Sequence, residues 1–384
     1  MKVLWLAAHP YSGSHDMHPV PWITALADQL FDKGIKITIV TIVSKIQEPI
    51  AKFNLGTYDL IVLKGPSGYV DVFTLFKKRI KILQGFLNQN IYDYDLVHVH
   101  GTEKQYASAI TSEMSQKVPV VISIQGLISQ YIKFINDFIT IRRVMWEIGS
   151  VYEKLEVKKG HNFFCRTSWD TKCVKELNPN AKIFEVWEIM RQEFYKTKIQ
   201  ALGKNILFSG GSNSLKGLKH ALQVHNKLLS DGEIILNVIG NCTWEYIQQV
   251  KKEYTLNNIT SANVKLHGMV GAEKILEIYK DCFCLYHPSV IDNSPNSVCE
   301  AQLAGLPVLA TNTGGVSSLI SNNITGILLI ANDIEGDYRS LKNFMSNVHL
   351  QKEIAENARK LALERHDFKS IANSVVDIYT ELIN

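Results

Sequence analysis

An apolar strand, a loop and a short helix follow one another between residues 282 and 311, and this succession limits the folds available to the chain. The uninterrupted apolar run Cys282–Tyr286 predicts a strand that is buried on both faces, as in a parallel sheet. Ser294 is the expected N-cap of the following helix, and Pro295 is its expected first residue. Gly305 is expected to end that helix before the next strand begins. The segment therefore predicts a β-α-β unit.

Two backbone amides at the start of this helix are expected to be free to bind an anion. In a helix that begins at Pro295, the N–H groups of Asn296 and Ser297 have no acceptor one turn back. Such amides and the positive end of the helix dipole suit a phosphate group. Glu300 shares their face of the helix, and Asp292 lies in the preceding loop. We therefore expect one ligand to present a phosphate to the amides and a pair of hydroxyls to Glu300.

A second motif, FSGGSNSLKGL at residues 208–218, places a lysine after a glycine turn. A strand is expected to end at Ser209, a flexible turn to follow at Gly210 and Gly211, and a helix to open at Lys216. A glycine turn lets a diphosphate approach the backbone, and a lysine at a helix start adds a full positive charge. An ordinary surface lysine at a helix end would give the same pattern.

Strands and helices alternate along the chain, which predicts parallel sheets wound with helices. The predicted strands of the first half are Val3–Ala8, Ile35–Ile42, Leu60–Lys64, Leu96–His100, Val118–Ile124, Asn162–Cys165 and Ile183–Trp187. Those of the second half are Ile206–Ser209, Ile234–Ile239, Val264–His267, Cys282–Tyr286, Val308–Thr311 and Ile327–Ile330. These strands predict an α/β fold with two Rossmann-like, doubly wound domains that face each other across a cleft.

The segment that begins at Asp292 resembles the signature of retaining GT-B glycosyltransferases (glycosyltransferase family 4): two acids separated by seven residues, then A-x-x-A-G-x-P-V and a Gly-Gly turn. The resemblance implies that Glu300 binds the ribose hydroxyls of a nucleotide-sugar and that Asp292 lies beside the transferred sugar. It also implies that the loop at Asn293 and Ser294 holds the sugar and the diphosphate. The first acid of the family is usually Glu, and Asn293-Ser294-Pro295 replaces its usual Gly-aromatic-Gly. An ordinary β-α-β unit with surface carboxylates is the alternative.

Lys216 matches the lysine of the family's phosphate-binding G-R-x(n)-K-G element. The resemblance implies that this lysine offsets charge on the leaving diphosphate. The arginine of the element is replaced by Gly211, so one positive charge is missing or comes from elsewhere. Arg166 and Arg191 are both able to supply it, and the sequence does not choose between them.

The resemblance also implies the domain organisation. Residues 1–190 are expected to form an acceptor-binding domain and residues 191–367 a nucleotide-sugar-binding domain. The charged segment 188–204 is the expected linker. The last helix, residues 368–384, is expected to cross back onto the N-terminal domain.

The sequence contains fewer indications of the acceptor-binding site. The segment DLVHVH at 95–100 resembles the family pattern D-x-x-H-x-H, and alternation places His98 and His100 on one face. We expect His98 to be a core residue, whereas His100 at the carboxyl edge is equally compatible with core packing and with ligand binding. Where the family usually has a histidine near the sugar this chain has Gln125, which forms hydrogen bonds but exchanges no proton at neutral pH. Gly13 stands in an altered version of the N-terminal glycine loop and is assigned to the same side.

Two further segments, CRTSWD at 165–170 and EIMRQEFY at 188–195, are similar to stretches of bacterial polysaccharide-assembly glycosyltransferases. Thr167 and Asp170 also have the spacing of a capping box, with Asp in place of Glu. Arg166, at a predicted strand end, is assigned to the donor site.

Residues 72–87 predict a basic amphipathic helix. Its apolar residues include Val72, Phe76 and Leu87, and Lys77, Lys78 and Lys81 lie on the opposite side. Such a helix can rest on an anionic membrane surface, and the resemblance to enzymes that act on lipid-linked acceptors favours this interpretation. The alternative is a helix that faces the core and has a solvated basic side.

Composition sets limits on the location and partners of the chain. A net charge of +4 over 384 residues gives no reason to expect nucleic acid as a partner. The six cysteines lie mainly in apolar segments, which predicts reduced thiols and a cytosolic protein. The apolar start, Met1–Ala8, is too short for a signal peptide, and no apolar run approaches the roughly 18 residues of a membrane span.

Together with these observations, the resemblance implies a cytosolic, retaining and metal-independent glycosyltransferase without a cofactor, located at the inner face of the plasma membrane if its acceptor is lipid-linked. Asp292 and Lys216 are the expected catalytic residues. The expected partners are a nucleotide-sugar donor, UDP-linked in preference to GDP-linked, and a glycan or lipid-linked saccharide acceptor of surface polysaccharide biosynthesis. The alternatives are a nucleotide-sugar epimerase of the same architecture and a non-catalytic module that binds sugar nucleotides.

Overall fold

The computed structural model describes residues 1–9, 21–135 and 140–384. The chain divides into two compact units: the first comprises Met1–Ile189 and Asp367–Asn384, and the second comprises Met190–His366. Each unit is built around one sheet with helices on both sides.

The sheet of the first unit has eight strands. They are β1 (Lys2–Ala7), β2 (Lys36–Val43), β3 (Ile50–Asn54), β4 (Tyr58–Lys64), β5 (Leu96–His100), β6 (Val120–Ser123), β7 (Asn162–Cys165) and β8 (Lys182–Glu185). Their order is β3-β4-β2-β1-β5-β6-β7-β8, and all neighbours are parallel except β3 and β4. The edge strand β3 was not predicted, because its residues are only partly buried or exposed and form no apolar run.

The sheet of the second unit has six strands, which match the six predicted ones. They are β9 (Asn205–Ser209), β10 (Leu236–Ile239), β11 (Val264–Gly268), β12 (Cys282–His287), β13 (Val308–Thr311) and β14 (Ile327–Leu329). Their order is β11-β10-β9-β12-β13-β14, and every neighbouring pair is parallel. All six residues of β12 are buried, as its apolar sequence predicts. The predicted α/β class with two doubly wound sheets is confirmed.

Helices connect the strands throughout the described residues. In chain order they are α1 (Pro21–Phe31), α2 (Gly68–Phe73), α3 (Lys77–Asn90), α4 (Ser112–Lys117), α5 (Ile128–Tyr131), α6 (Ile141–Lys159), α7 (Ser168–Leu177), α8 (Gln192–Lys196), α9 (Leu218–Leu228), α10 (Trp244–Tyr254), α11 (Ala272–Lys280), α12 (Asn296–Ala304), α13 (Ile334–Ser346), α14 (Val348–Arg365) and α15 (Phe368–Ile383). The last helix, α15, belongs to the first unit.

The core of the first unit lies on both faces of its sheet. Successive residues of a strand point to opposite faces, so Leu4 joins the core layer on one face and Trp5 the layer on the other. The second layer includes Tyr379 of α15, which is fully buried. Burial of a large apolar side chain stabilises a fold by about 1.5–3 kcal/mol. The last helix is therefore part of the hydrophobic core of the first unit.

Two predicted helix starts differ from the structure. Pro295 is the N-cap of α12, with φ −66° and ψ 120°, so the prediction of Ser294 as cap and Pro295 as first helical residue is wrong by one position. The extended ψ of Pro295 leaves its carbonyl to accept the first helical hydrogen bonds. In the glycine motif, Lys216 ends a short 3₁₀ turn, and α9 begins only after Gly217, whose φ is +81°.

The prediction of one helix over residues 72–87 is also wrong. The chain forms α2 and α3, which are separated by a turn in which Leu75 and Phe76 have φ values of 49° and 61°. Phe76 is buried, and Arg79 forms an ion pair with the buried Asp71, so packing and charge stabilise the turn. Phe73, the last residue of α2, is exposed.

Candidate functional site

The strand order of the second sheet defines one position at which a ligand is expected. The chain runs outward from β9 to β10 and β11, then returns to the other side of β9 and continues through β12, β13 and β14. In open α/β sheets, ligands bind beyond the carboxyl ends of the two strands at this reversal. Lys216 follows β9 and Asp292 follows β12, so both predicted catalytic residues flank it.

The carboxylate of Asp292 lies at the centre of a buried ionic cluster. Lys216 Nζ donates to Asp292 Oδ2 at 2.5 Å, and His287 Nε2 lies 3.2 Å from the same oxygen in an electrostatic contact rather than a directed hydrogen bond. Burial raises the pKa of Asp292, but Lys216 and His287 outweigh burial and hold that pKa well below its usual range. Burial lowers the pKa of His287, which favours the neutral imidazole. Asp292 is therefore ionised, with Lys216 as its counter-charge.

Backbone contacts fix the loop that carries Asp292. Ser289 Oγ donates to the carbonyl of Leu215 at 2.7 Å, which links this loop to the lysine motif. The N–H of Gly315 donates to the carbonyl of Asp292 at 2.9 Å. Gly314 has a φ of +54°, and a Cβ atom there would lie 1.9 Å from that carbonyl oxygen. The Gly-Gly turn is therefore needed for the close approach that holds Asp292.

The glycine turn of the lysine motif is tight, but its amides are occupied. The N–H groups of Gly210 and Gly211 both donate to the carbonyl of Ile239, at 2.9 and 3.0 Å. A Cβ atom on Gly211 would lie 2.4 Å from the carbonyl oxygen of Asn241, and one on Gly210 would lie 2.5 Å from Lys216 Cβ. These glycines let the turn pack against the end of β10 and the stem of Lys216. A diphosphate at this turn would meet Lys216 rather than free glycine amides.

The start of α12 offers the amides that the sequence predicts. The N–H groups of Val298 and Cys299 donate to the carbonyl of Pro295, at 2.9 and 3.2 Å. Within residues 1–9, 21–135 and 140–384, no acceptor pairs with the N–H groups of Asn296 and Ser297. The positive end of this nine-residue helix therefore has two amides available to an anion.

Asn293 and Ser294 are buried in the loop between Asp292 and α12. The N–H of Asn293 donates to Asp292 Oδ1 at 3.2 Å, and Ser294 Oγ lies 3.9 Å from Cys299 Sγ. Both residues therefore help to shape the loop around the carboxylate. Their predicted contact with a sugar and a diphosphate stays a prediction.

Glu300 is paired with Arg191 in a two-pronged ion pair. Arg191 Nε donates to Glu300 Oε1 and Arg191 Nη2 donates to Glu300 Oε2, both at 2.7 Å. The side chain of Glu300 is 8% exposed and that of Arg191 is 22% exposed. The guanidinium carbon of Arg191 also lies 4.8 Å from the centre of the Phe194 ring. Arg191 is therefore the counter-charge of Glu300 rather than a free cation that replaces the arginine missing at Gly211.

The opposite end of the second unit also contacts α12. Arg365 is the last residue of α14, and its Nη2 donates to Gln302 Oε1 at 2.6 Å. Its Nη1 donates to the carbonyl of Leu319 at 3.2 Å. Gln302 in turn donates to the same carbonyl at 3.0 Å. The helix that carries Glu300 is thus held by arginines from both ends of the unit.

Arg166, the other cation suggested by the sequence, lies in the first unit. Its Nη2 donates to the carbonyls of Ile124 and Gln125, at 3.0 and 2.8 Å, and its Nη1 lies 2.6 Å from Glu188 Oε2. The capping box of Thr167 and Asp170 is confirmed. These contacts make Arg166 a brace for the loop that follows β6, and its assignment to a donor site stays a prediction.

In the first sheet the reversal lies between β1 and β5, and His100 is the last residue of β5. The ring of His100 stacks on that of His98 with a centroid distance of 3.9 Å. Burial lowers the pKa of His100 to about 3, so the ring is neutral at physiological pH. His98 contacts Tyr379 Oη at 2.5 Å and Ser123 Oγ at 2.6 Å, which confirms it as a core residue. Gly13 lies outside the described residues.

A carboxyl group that the sequence analysis did not single out lies at the same edge. A Cβ atom on Gly101 would lie 2.2 Å from Glu103 Oε2 and 3.4 Å from Gln125 Oε1, and one on Gly126 would lie 3.1 Å from Glu103 Oε1. Two glycines therefore make room for this carboxyl beside Gln125. Burial, reinforced by Glu153, raises the pKa of Glu103 to about 7.

Helix α6 anchors the loops of this edge with two buried acids. Glu153 accepts hydrogen bonds from the N–H groups of Ile128 and Ser129, at 2.6 and 3.0 Å. Glu156 accepts hydrogen bonds from the N–H and the Oγ of Ser108, at 2.8 and 2.6 Å. Burial raises the pKa of Glu156 to about 8. The loops after β5 and β6 are thus fixed to one helix.

No group of three or more His, Cys, Asp or Glu residues in the described part of the chain is placed to hold a metal ion. The six cysteines are free thiols, and five of them are buried. Among the helices that the structure describes, none combines the length and hydropathy needed to cross a membrane.

Three comparisons with known proteins bear on this arrangement. Residues 190–361 match the family described as Glycosyl transferases group 1. The chain is 26% identical over 203 residues to an uncharacterised 41.2 kDa protein of the cps region of Klebsiella pneumoniae, a match that covers 53% of this chain and 52% of that protein. The chain thus spans about half the length of this curated relative.

Another relative is matched over more of its length. The chain is 22% identical over 312 residues to the UDP-Gal:alpha-D-GlcNAc-diphosphoundecaprenol alpha-1,3-galactosyltransferase of Escherichia coli, covering 76% of both chains. Among solved structures, HepE of Anabaena in complex with UDP-glucose superposes with a TM-score of 0.70 at 14% identity, over 99% of this chain and 100% of that one. The structural likeness extends over both units.

Proposed function

We propose that this chain is a GT-B glycosyltransferase that transfers a sugar from a UDP-sugar to a saccharide acceptor and retains the anomeric configuration. The observation that carries the proposal is the placement of Lys216 and Asp292 beyond β9 and β12, the two strands at the reversal of the second sheet. The free amides of α12 and the carboxylate of Glu300 complete a set of groups suited to a diphosphate and a ribose.

The second unit supplies the donor site in this proposal. The ammonium of Lys216 and the amides of Asn296 and Ser297 neutralise the diphosphate, so no metal ion is needed. Glu300 accepts hydrogen bonds from the ribose hydroxyls. UDP is favoured as the nucleotide because the structurally similar HepE was solved with UDP-glucose, and GDP is the alternative.

The first unit supplies the acceptor site, at the edge marked by His100 and Gln125. A lipid-linked saccharide is favoured as the acceptor, because the name of the Escherichia coli relative specifies N-acetylglucosamine on diphosphoundecaprenol. The similarity of residues 165–170 and 188–195 to bacterial polysaccharide-assembly glycosyltransferases supports a role in surface polysaccharide biosynthesis. Such an acceptor places the enzyme in the cytosol at the inner face of the plasma membrane.

Transfer with retention assigns a task to each charged group. The acceptor enters on the face of the sugar from which the diphosphate leaves, and the leaving phosphate takes the proton of the acceptor hydroxyl. Lys216 stabilises the negative charge that develops on the diphosphate, and the ionised Asp292 stabilises the positive charge that develops on the sugar. The neutral His100 and Gln125 position the acceptor but do not act as a strong base.

A membrane contact is part of the proposal, but on a surface different from the predicted amphipathic stripe. Phe73 is 88% exposed and Tyr69 is 67% exposed, both on the short helix α2. Lys77, Lys78 and Lys81 at the start of α3 are exposed as well. Aromatic side chains beside lysines suit the interface of an anionic membrane.

A transfer assay tests the function directly. The protein is incubated with UDP-galactose, UDP-glucose or a GDP-sugar, with and without N-acetylglucosaminyl-diphosphate-lipid, and the products are identified by mass spectrometry. Acceptor-dependent addition of one sugar is the expected result. Isomerised nucleotide-sugar without acceptor would indicate the epimerase, and donor binding without any turnover would indicate the binding module.

A further inference from the structure

The ion pair between Arg191 and Glu300 has a geometry that fixes the orientation of the carboxylate. The two donors of the guanidinium edge meet the two carboxylate oxygens, both at 2.7 Å. Such a fork fixes the plane of the carboxylate as well as its position, which a single contact cannot do. The orientation of Glu300 is therefore set by Arg191.

This pairing leaves the carboxylate able to bind a second partner. Each oxygen of an ionised carboxylate has two lone-pair sites, and Arg191 occupies one on each oxygen. One acceptor site per oxygen remains, on the outer edges of the carboxylate, and these two sites point away from each other. A ribose can therefore donate its 2′-hydroxyl to one of them.

Arg191 is itself held in place. It precedes α8 as the N-cap, its guanidinium lies against the ring of Phe194, and its carbonyl accepts the N–H of Phe194 at 3.2 Å. The N–H of Met190, the preceding residue, donates to Tyr195 Oη at 3.1 Å. Because α8 packs against α12, the fork is supported on both sides.

The surroundings of Glu300 do not favour its charge without Arg191. Burial raises the pKa of Glu300, Glu193 of α8 adds to the effect, and only the Arg191 contacts oppose it. From α11, the buried Tyr279 is within electrostatic range of Glu300, and burial raises the pKa of its hydroxyl, so it is uncharged. From α14, Arg365 contacts Gln302 and Cys299 rather than Glu300. Burial outweighs the Arg191 contacts, so the pKa of Glu300 stays raised, and Arg191 is the cation that favours its ionised form.

We infer that Arg191 is a positioning residue of the donor site, which holds the Glu300 carboxylate in the orientation and charge state that bind the ribose 2′-hydroxyl. The inference rests on the proposed nucleotide-sugar donor, and it assigns to Arg191 the discrimination of ribose from deoxyribose.

The test compares UDP with 2′-deoxy-UDP by titration calorimetry. We expect the native protein to prefer UDP by about tenfold, because loss of one hydrogen bond to a charged group has that effect. In Arg191→Met, UDP affinity falls about tenfold while 2′-deoxy-UDP affinity changes little, so the preference disappears. In Arg191→Lys, a point charge keeps Glu300 ionised but cannot fix its plane, so the preference is reduced.

A pH series separates positioning from a general structural effect. In the native protein the preference for UDP depends less on pH between pH 6 and pH 8 than in the variant, because the two hydrogen bonds from Arg191 favour the ionised Glu300. In Arg191→Met any remaining preference weakens as the pH falls, because the buried carboxyl takes up a proton. Arg359→Met is the control: Arg359 donates to the carbonyls of Thr197 and Tyr195 in the same unit, so both nucleotides should bind this variant as they bind the native protein.

The outcomes distinguish the inference from the proposed function. If the native protein prefers UDP and Arg191→Met keeps that preference, Arg191 has no positioning role while the donor site stands. If the native protein binds both nucleotides equally or neither, the ribose assignment of Glu300 fails and the inference fails with it. Should Arg191→Met not fold, Arg191→Lys decides, since an unchanged preference in that variant overturns the inference.

Discussion

Lys216 Nζ donates to Asp292 Oδ2 at 2.5 Å, so the cation and the carboxylate expected to face the donor share one hydrogen bond. An ammonium group has three N–H donors, and one of them is engaged here. The other two can serve a diphosphate without breaking the pair. The bond thus fixes the direction from which Lys216 approaches a leaving phosphate and leaves Asp292 charged beside it.

Replacement of this lysine is expected to weaken nucleotide binding. Lys216→Ala removes a charge-assisted contact of about 1.5–3 kcal/mol, so UDP affinity and turnover should fall by roughly ten- to a hundredfold. Calorimetry with UDP measures the first effect and a transfer assay the second. Lys219→Ala is the matched control, because Lys219 forms an exposed pair with Glu253. A folded Lys216→Ala protein with native affinity and turnover would remove Lys216 from the donor site.

Replacement of the acid should separate binding from transfer. Asp292→Asn keeps the shape of the side chain but removes the charge that stabilises the sugar, so turnover should fall by about a hundredfold. UDP affinity should not fall, because Lys216 no longer shares its charge with a carboxylate. Glu300→Gln should show the opposite pattern, with weaker binding of UDP itself. Equal losses of UDP affinity in the two variants would contradict this division between sugar and ribose.

Stereochemistry and metal dependence follow from the same arrangement. The cation and the free amides of α12 lie on the donor side, where they stabilise a leaving phosphate. We expect NMR of the product to show the anomeric configuration of the donor, and turnover to continue in saturating chelator. An inverted centre would overturn the retaining mechanism, and loss of activity in chelator would overturn the metal-free site.

The stability of the protein should depend on pH through Glu156. Burial raises the pKa of this carboxyl from 4.5 to about 8 in the folded state, so folding takes up a proton between these values. The free energy of unfolding therefore falls as the pH rises from about 4.5 to about 8. In Glu156→Gln the fall in melting temperature across this range should be smaller. The exposed Glu113 provides the control, and Glu113→Gln should leave the slope unchanged.

Membrane binding should depend on the exposed aromatic residues of α2. Phe73→Ser is expected to reduce sedimentation with anionic vesicles, because it removes a side chain that is 88% exposed beside three lysines. Replacement of Lys77 and Lys78 by Gln should weaken binding and reduce its salt dependence. Met269→Ser, which removes an apolar side chain that is 75% exposed from the second unit, is the control. If Phe73→Ser and Met269→Ser bind vesicles alike, the surface on α2 is not the contact.

Much of the fold could be predicted from local sequence. The apolar run of β12 and the glycine at 305 mark their structures unambiguously, because burial on both faces and a left-handed helix end permit few residues. The edge strand β3 was missed because pairing with β4, not its own composition, makes it a strand. The break between α2 and α3 was missed for a similar reason: the burial of Phe76 and the partner of Asp71 depend on tertiary packing.

The candidate site shows the same limit. Asp292, Glu300 and Lys216 belong to recognisable motifs, but their counter-charges do not follow from spacing. Arg191 lies 109 residues from its partner Glu300 along the chain. The sequence analysis considered Arg191 as a cation for a phosphate, and only the structure shows that it pairs with a carboxylate. Glu103 was missed altogether, because two glycines distant from each other in sequence make its site.

Residues from both ends of the second unit hold α12. This limits how the unit could be exchanged between related proteins by recombination. Arg191 is the second residue of the unit and Arg365 is the last but one, yet they bind Glu300 and Gln302 on the same helix. A crossover between Arg191 and α12, or between α12 and Arg365, would combine α12 from one parent protein with an arginine position from the other. Functional chimaeras should therefore inherit residues 190–366 as a whole, and the two arginines should be inherited together with the acid and the amide that they hold.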